Sequence, residues 1–276
     1  MQINRKNLDM FMGQLIENEY SVKTVEKYDR DLKSFASFVG EKEIEKQDVI
    51  RFKEELCIRY KPRSVNSILA ACNQFFSFYD RPDLKVRQLK IQQEAFCPQE
   101  KVLTKEEYMR LVCTAYELGE RKLGLIIQTI CCTGIRVSEL SYITVDAVFK
   151  GKAEVRLKGK NRTILIQDEL QKLLLAYIRE RKLSNGAVFV TRNGKPLDRS
   201  NIWKRMKSVA IKAGVDLEKV FPHNLRHLFA REFYKLKKDI VQLADVLGHS
   251  NINTTRIYML STGEEHRKML REMDLI

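Results

Sequence analysis

Three of the four histidines, His223, His227 and His249, lie within 27 residues near the C-terminal end of the sequence. His223 and Arg226 are three residues apart and directly follow Pro222, a residue type that suits the first turn of a helix. Both side chains would therefore direct hydrogen-bond donors from one helix face, near a helix N-terminus that favours phosphate. The spacing predicts a site for a phosphate-like anion, although a capping histidine beside a solvated arginine would share it.

His223 and His227 are also four residues apart, which is the spacing of two zinc ligands on one helix. The zinc motif requires a glutamate directly after the first histidine, and none stands there. No cluster of cysteines or carboxylates near these histidines in the sequence would complete a metal site. We therefore predict neither a metal nor a cofactor.

Three further candidates are weak when each is considered alone. Arg136 follows a predicted helix end at Gly134, and Glu139 would form an ordinary surface ion pair with it. Lys158 lies at the predicted tip of a hairpin, where solvated lysines are common. Tyr258 lies on a predicted helix, where a tyrosine is normally a packing residue. Their significance depends on the order in which they occur.

In that order, the candidates lie in three motifs that resemble those of the tyrosine recombinases, also called the phage-integrase family. Residues 133–140, Thr-Gly-Ile-Arg-Val-Ser-Glu-Leu, are similar to the family's first-arginine box. Residues 223–227 match its His-x-Leu-Arg-His box, and residues 247–258 are similar to the box that ends in the nucleophilic tyrosine. Three boxes in this order over about 125 residues make a chance match improbable. The resemblance covers essentially the whole chain and is strongest after residue 101.

The resemblance implies that a tyrosine cleaves DNA. Tyr258 would attack a backbone phosphorus, form a 3′-phosphotyrosyl intermediate and release a 5′-hydroxyl, so that no ATP is needed. Arg136 and Arg226 would bind the nonbridging oxygens of the transition state, because a guanidinium stays charged and can bind two oxygens at once. His249 would donate a further hydrogen bond, and His223 would help to manage the proton of the nucleophile.

The family resemblance also assigns supporting roles. The departing 5′-oxygen needs a proton, which a lysine at the tip of a β-hairpin would deliver. The Lys-Gly match favours Lys158 for this role, and Lys160 is the alternative. Glu139 would orient the His223–Arg226 cluster without entering the chemistry. No metal is required, because arginines supply the positive charge.

The charge of the chain points to a polyanionic partner. Lys and Arg total 50 against 36 Asp and Glu, which gives a net charge of +14. Residues 1–100 contribute +1 of this charge and residues 101–276 contribute +13. We therefore predict double-stranded DNA with specific recombination sites as the partner, bound with a steep salt dependence. The candidate DNA contacts are Arg63, Lys160, Arg162, Lys204, Arg205 and Lys207, although exposed basic side chains are equally expected on a solvated surface.

The apolar periodicity predicts a mainly α protein with a small antiparallel β-sheet. Four amphipathic helices in residues 1–82 predict a helical bundle, which the resemblance makes a SAM-like core-binding domain. Residues 83–101 lose the periodicity and are predicted to form a linker, and residues 102–276 are predicted to form the tyrosine-recombinase catalytic domain. In that domain a capping box at residues 104–107 predicts a helix over about 105–117, and two β-rich runs flank a predicted turn at 158–161.

The sequence also bears on assembly and location. The last predicted helix has an apolar stripe of Met269, Leu270 and Met273, which would dock on a neighbouring protomer or pack on its own domain. The resemblance implies a homotetramer on paired DNA sites and leaves a monomer in solution open. No apolar stretch is long enough to span a membrane, and no secretory signal is evident. We expect a bacterial cytoplasmic, nucleoid-associated protein whose six scattered cysteines are reduced and buried.

Two other functions remain as alternatives to site-specific recombination by integration, excision or resolution. A type IB topoisomerase shares the tyrosine chemistry but relaxes supercoils without strand exchange. The short two-domain form and the close motif match disfavour it. A catalytically silent DNA-binding regulator could use the same fold, but candidates at all six catalytic positions disfavour that hypothesis.

Overall fold

The computed structural model describes residues 1–92, 102–157, 160–191, 193–259 and 263–273. The chain divides into two compact units, Met1–Gln93 and Glu94–Ile276. Both units are helical, and the second also contains a two-stranded antiparallel sheet. The predicted fold class is therefore confirmed. Within the described ranges no helix combines the length and the apolar character that a membrane span requires.

The first unit is a bundle of four helices packed around aromatic side chains. Phe11 and Phe75 meet edge to face with ring centroids 5.4 Å apart, and Phe35 meets Phe76 in the same way at 5.8 Å. All four rings are nearly inaccessible to solvent. Edge-to-face pairs of this kind add to the stabilisation that apolar burial provides. The helices are α1 Arg5–Glu17, α2 Val22–Val39, α3 Lys46–Arg59 and α4 Pro62–Phe78.

The segment that follows α4 packs back onto the bundle. Leu84 is 1% exposed and Val86 is 8% exposed, so both belong to the core of the first unit. Asn73 of α4 donates through Nδ2 to the Val86 carbonyl at 2.9 Å and accepts from the Val86 N–H at 3.0 Å. Asn66 holds the backbone of Leu89 in the same way, at 2.9 and 2.7 Å. These two side chains, which we call the asparagine ladder, pair with the segment as a neighbouring β-strand would.

The asparagine ladder fixes part of the predicted linker to the first unit. The first residues of the predicted linker, 83–89, pack on α4 and belong to the first unit. Residues 93–101 lie outside the described residues. No sequence pattern indicates this packing, because an extended segment held by two side-chain amides has no apolar periodicity.

We expect Asn73→Ala to destabilise the first unit by about 1–2 kcal/mol, because it removes two hydrogen bonds to a half-buried backbone. Asn73→Asp keeps an acceptor for the Val86 N–H but places a carboxylate oxygen against the Val86 carbonyl, so it should cost at least as much. Urea unfolding of the full chain, followed by the fluorescence of its tyrosines, measures the difference. An unfolding midpoint that is the same in Asn73→Ala and in the wild type would mean that the asparagine ladder contributes no stability.

The other elements of the second unit pack around α6, whose apolar side chains are buried. A reciprocal capping box confirms the predicted start of α5, since Thr104 accepts from the Glu107 N–H and the Glu107 carboxylate accepts from the Thr104 N–H. A 3₁₀ turn, Val137–Tyr142, follows α6. The helices described in this unit are α5 Lys105–Glu117, α6 Arg121–Thr133, α7 Val145–Phe149, α8 Asp168–Glu180, α9 Arg199–Ala213, α10 Pro222–Lys237, α11 Ile240–Leu247, α12 Ile252–Arg256 and α13 Gly263–Glu272.

The predicted hairpin is present, with a shorter connection than expected. Strands β1 Lys152–Leu157 and β2 Lys160–Leu165 pair antiparallel, with Leu157 opposite Lys160. The predicted turn at 158–161 is therefore too long, because Lys160 and Asn161 belong to β2. Lys160 and its neighbour are polar, so the sequence pattern assigns them to a turn. In a two-stranded sheet with a solvated edge, polar residues are equally suited to strand positions.

The predicted burial of all the cysteines is wrong for two of them. Cys57 and Cys113 are exposed, Cys72 is buried, and Cys131 and Cys132 are partly buried. These five cysteines are free thiols, and the remaining one, at position 97, lies outside the described residues. A cysteine inside an amphipathic helix is buried only when it lies on the apolar face, which the scatter of cysteines along the sequence does not reveal.

Candidate active site

Arg226, in the first turns of α10, is the centre of the site. It is 1% exposed, and its Nη1 donates to the Gly134 carbonyl just beyond α6, while its Nη2 donates to the Leu247 carbonyl at the end of α11, at 2.8 Å. Carbonyls at helix C-termini lack partners within the helix, so one guanidinium satisfies two helix ends. Arg136 and His249 lie two residues beyond those carbonyls. Arg226 therefore brings both of their chain segments into one place.

Two glycines permit this close convergence. Gly134 has φ +64° and Gly248 has φ +65°, in the left-handed region that favours glycine. A Cβ atom on Gly134 would lie 2.5 Å from the ring of Phe229, and one on Gly248 would lie 2.5 Å from Cδ of Arg162. Each glycine thus ends a helix and also lets a neighbouring side chain pack against its backbone.

Glu139 binds two arginines. It is 1% exposed; its Oε1 accepts from Nη1 of Arg136 at 2.9 Å, and its Oε2 accepts from the Arg136 backbone N–H at 2.9 Å and from Nη2 of Arg162. Arg136 is the ion-pair partner that the sequence spacing predicts, whereas Arg162 takes the place of the His223–Arg226 cluster that we expected Glu139 to orient. The physical reason is local: the 3₁₀ turn Val137–Tyr142 places residue 139 back over residue 136.

His249 lies between an arginine and a threonine. Its Nε2 is 2.9 Å from Nη2 of Arg226, and its Nδ1 is 2.8 Å from Oγ1 of Thr255. Because a guanidinium can only donate, we assign Nε2 as the acceptor and place the ring proton on Nδ1. A bound anion can accept the hydrogen bond of Arg226 Nη2 in place of His249 Nε2, and Nε2 then faces the anion. Protonation of His249 makes both ring nitrogens donors, so that Nε2 can donate to the anion.

The Tyr258 ring lies among three histidines of the same chain. It stacks on His249 with ring centroids 5.7 Å apart, meets His227 edge-on at 4.4 Å and lies 6.1 Å from His223. The Tyr258 phenol lies close enough to Arg226 to act on the pKa of its guanidinium. Tyr258 is 4% exposed and is carried by a 3₁₀ turn, Ile257–Met259, directly after α12. A tyrosine in this position is integral to the polar cluster and is not a surface packing residue.

The structure thus brings together most of the predicted catalytic residues. His227 is an additional member, because its ring contacts both His223 and Tyr258. Its four-residue spacing from His223 suggests only a metal motif, and no group of three or more potential metal ligands occurs among the described residues. Lys158 lies outside the described residues. The predicted residues found together in one chain are Arg136, His223, Arg226, His249 and Tyr258.

Burial and positive charge keep the histidines neutral. Desolvation, followed by the charges of Arg226 and Arg136, lowers the pKa of His249 to about 4. Desolvation, followed by the charge of His223, lowers the pKa of His227 to about 3. Burial also lowers the pKa of Arg226 to about 10, and its buried Nε has no hydrogen-bond partner among the described residues. A partly buried pocket with unsatisfied positive charge favours a bound anion.

We expect the free energy of unfolding to fall as the pH is lowered from 7 to 5. The folded-state pKa values of His227 and His249, about 3 and about 4, lie below the usual value for histidine, so the unfolded chain binds protons that the folded chain excludes. The stability from this source is complete above pH about 6.5, falls as the pH falls, and stops falling below the folded pKa values. The slope is at most about 1.4 kcal/mol per pH unit for a fully buried histidine, and less for half-buried His249.

Urea unfolding at pH 5, 6 and 7 and constant ionic strength measures this slope. His227→Phe keeps an aromatic ring against Tyr258 and should reduce the slope, because it removes one of the three histidines whose pKa is lowered. An identical slope in the variant and the wild type would show that His227 does not have a strongly lowered pKa.

The basic side chains predicted to contact DNA differ in their exposure and in their partners within the protein. Arg63 on α4 and Lys204 on α9 are exposed. Arg205 is also exposed and pairs with Glu120. Lys207 donates to a backbone carbonyl, and its ammonium lies 5.3 Å from the centre of an indole ring. The side chains of Arg63 and Lys204 are thus the most readily available for a DNA phosphate.

Two other predicted contacts lie on the hairpin. The side chain of Arg162 is 11% exposed and is bound to Glu139 and to the Val246 carbonyl, which disfavours the predicted contact with DNA. Lys160 belongs to β2 by its backbone, and its side chain lies outside the described part of the chain.

Solved structures share this fold. A crystal structure of XerA recombinase matches with a TM-score of 0.56 and 26% identity, covering 98% of this chain and 98% of that chain. A lambda integrase dimer bound to a COC′ core site matches with a TM-score of 0.75 and 18% identity, covering 94% and 95% of the two chains. The latter likeness shows the fold alone. Together with the cluster around Tyr258, the fold defines a protein of the tyrosine-recombinase class.

Sequence comparison gives the family. Residues 101–265 match the model of the phage integrase family, and residues 8–81 match its N-terminal SAM-like domain. Tyrosine recombinase XerA of Thermococcus kodakarensis is 32% identical over 224 residues, covering 79% of this chain and 77% of that protein. Tyrosine recombinase XerD of Listeria innocua is 28% identical over 271 residues, covering 88% and 90%. The chain belongs to the phage integrase family, which confirms the predicted resemblance.

Proposed function

We propose that this protein is a site-specific DNA recombinase that cuts and rejoins DNA strands through a 3′-phosphotyrosyl intermediate, in integration, excision or resolution. One observation carries the proposal: the phenol of Tyr258 shares a pocket of its own chain with the guanidinium of Arg226 and the ring of His249. A nucleophile beside preorganised cationic donors is the arrangement that phosphoryl transfer requires. Membership of a family whose relatives are named tyrosine recombinases supports the same function.

In the proposed reaction the Tyr258 oxygen attacks the phosphorus while the bond to the 5′-oxygen breaks. Arg136, whose side chain is 40% exposed, meets the nonbridging oxygens from the open side of the pocket, and Arg226 meets them from its buried side. Desolvation and the neighbouring arginines lower the pKa of His223 and keep it neutral near pH 7, so that it can accept the phenolic proton.

Lys158 gives a proton to the departing 5′-oxygen in this proposal. The 5′-hydroxyl of another strand then attacks the phosphotyrosine, and Tyr258 recovers its proton as it leaves. Each step exchanges one phosphodiester bond for another, so no external energy source is needed. Glu139 takes no part in these bond changes, because its carboxylate is engaged by Arg136 and Arg162.

The proposed partner is double-stranded DNA, bound by a homotetramer on paired sites in the bacterial cytoplasm. Residues 101–276 carry a net charge of +13, which suits a polyanion. A lambda integrase tetramer bound to a Holliday junction has the same fold. On α13, Leu270 is 53% exposed and Met273 is 56% exposed, so both are available for docking on a neighbouring protomer.

Covalent trapping tests the proposal and finds the DNA site in the same experiment. The protein is incubated with sheared genomic DNA of its source organism, the reaction is quenched with detergent, and DNA that stays attached to protein is sequenced. A nicked duplex made from the recovered sequence then traps the adduct on a denaturing gel. We expect one preferred sequence and an adduct that protease digestion reduces to a phosphotyrosyl peptide.

The alternatives give different results. Relaxation of supercoiled plasmid without any preferred attachment sequence would indicate a topoisomerase. DNA binding without any covalent attachment would indicate a silent regulator and would overturn the proposed recombinase activity.

A further inference from the structure

Arg162 on β2 connects three segments of the site. Its Nη2 donates to Glu139, and its Nη1 donates to the Val246 carbonyl at 2.9 Å, near the end of α11. Its Cδ lies against the backbone of Gly248, where even a methyl group would not fit. The side chain therefore joins the hairpin both to the turn that carries Arg136 and to the helix end that precedes His249.

We propose that Arg162 is a positioning residue for DNA cleavage: it shares the Glu139 carboxylate with Arg136 and so preserves the positive charge of Arg136 for the scissile phosphate. This inference rests on the proposed recombinase function. Arg162 does not contact the reacting atoms in this role but acts through Glu139.

The charge balance of the cluster supports the proposal. Arg136 and Arg162 together carry two positive charges, and Glu139 carries the one negative charge hydrogen-bonded to both. The triad thus retains a net charge of +1. Without Arg162, the Glu139 carboxylate would face Arg136 alone and would neutralise it, at a position with 1% exposure where water screens little. A neutralised Arg136 binds a phosphate less strongly.

The surroundings of Arg162 distinguish this role from DNA binding. Its side chain is 11% exposed, compared with 40% for Arg136 and 72% for Arg156, which lies on the same hairpin. Two of its nitrogen atoms already donate to protein acceptors. Arg156 is paired only weakly with Glu154, at 3.4 Å, and serves as the matched control.

Four variants test the proposal on the nicked duplex: Arg162→Gln, Arg162→Lys, the double variant Arg162→Gln with Glu139→Gln, and the control Arg156→Gln. The rate of adduct formation is measured in single turnover at saturating DNA, together with the DNA dissociation constant and the melting temperature. We expect Arg162→Gln to slow cleavage on the order of 100-fold, with less than about a threefold change in DNA affinity. Arg162→Lys keeps the charge and should stay within about tenfold of the wild type.

The double variant makes the test specific to charge. It restores the net charge of +1, so it should cleave at least about tenfold faster than Arg162→Gln alone, which is a coupling that a packing role would not produce. Arg156→Gln should cleave at the wild-type rate. The proposal is overturned if Arg162→Gln cleaves normally, if it loses only DNA affinity, or if the folded double variant recovers nothing. Should Arg162→Gln not fold, a folded Arg162→Lys that is slowed 100-fold or more would equally exclude charge sharing.

A second probe separates this inference from the proposed function. If the wild type forms no adduct with any DNA, the recombinase proposal fails, and charge sharing is then tested with inorganic phosphate. Histidine ring resonances followed by NMR during phosphate titration should show weaker binding in Arg162→Gln and recovery in the double variant. Equal phosphate affinity in the wild type and Arg162→Gln would exclude charge sharing independently of catalysis.

Discussion

Tyr258→Phe should abolish covalent attachment to DNA, lowering the rate of adduct formation by at least about 10⁴-fold, because the variant lacks the attacking oxygen. The affinity for DNA should stay within about twofold of the wild type. Phenylalanine keeps the ring that stacks on His249 and meets His227 edge-on, so the shape of the pocket is retained. Trapping on a nicked duplex and a gel-shift titration of the same preparation measure the two quantities.

Tyr234→Phe is the control for this experiment. Tyr234 packs against the same small apolar cluster as Tyr258, so its replacement makes the same chemical change beside the site. It should form the adduct at the wild-type rate. An adduct that persists in Tyr258→Phe would remove Tyr258 as the nucleophile and direct the search to another tyrosine.

Arg226→Lys should slow cleavage by about 10³-fold while DNA affinity changes much less. Lysine keeps a positive charge but cannot donate at the same time to the Gly134 carbonyl, the Leu247 carbonyl and a phosphate from fixed directions. Single-turnover trapping at saturating DNA measures the effect.

Stability must be measured beside the rate, since Arg226 satisfies two helix ends. Arg226→Ala should lower the free energy of unfolding by about 2–4 kcal/mol through the buried carbonyls that lose their donor. Arg179→Lys, at an exposed position on α8, is the control and should alter neither rate nor stability. Cleavage by folded Arg226→Lys at nearly the wild-type rate would restrict Arg226 to its structural role.

The sequence is sufficient to predict those elements of the fold whose bounds depend on neighbouring residues. The capping box at Thr104 fixed the start of α5, and the predicted helix over 105–117 coincides with Lys105–Glu117. The position of Tyr258 beside Arg226 could be anticipated only through the family motifs. No periodicity shows that residues 32 positions apart meet, and the pairing depends on the left-handed glycine that ends α11.

Contacts between distant segments were not predictable from local pattern. Arg162 and Glu139 are 23 residues apart, and their pairing requires β2 to lie beside the 3₁₀ turn. In the sequence, Arg162 is one of several basic residues on a predicted hairpin, and this pattern predicts a contact with DNA. Asn66 and Asn73 are seven residues apart on α4, and asparagines on a helix normally suggest nothing more than a solvated surface.

The asparagine ladder also has a practical consequence for handling the protein. Amide pairs carry no net charge, so concentrated salt that strips a basic protein from a polyanionic resin leaves these four hydrogen bonds largely intact. Elution in strong salt therefore leaves the packing of Val86 and Leu89 on α4 intact. Any decline in retention on such a resin as salt rises then reports the loss of ionic contacts and not the loosening of the asparagine ladder.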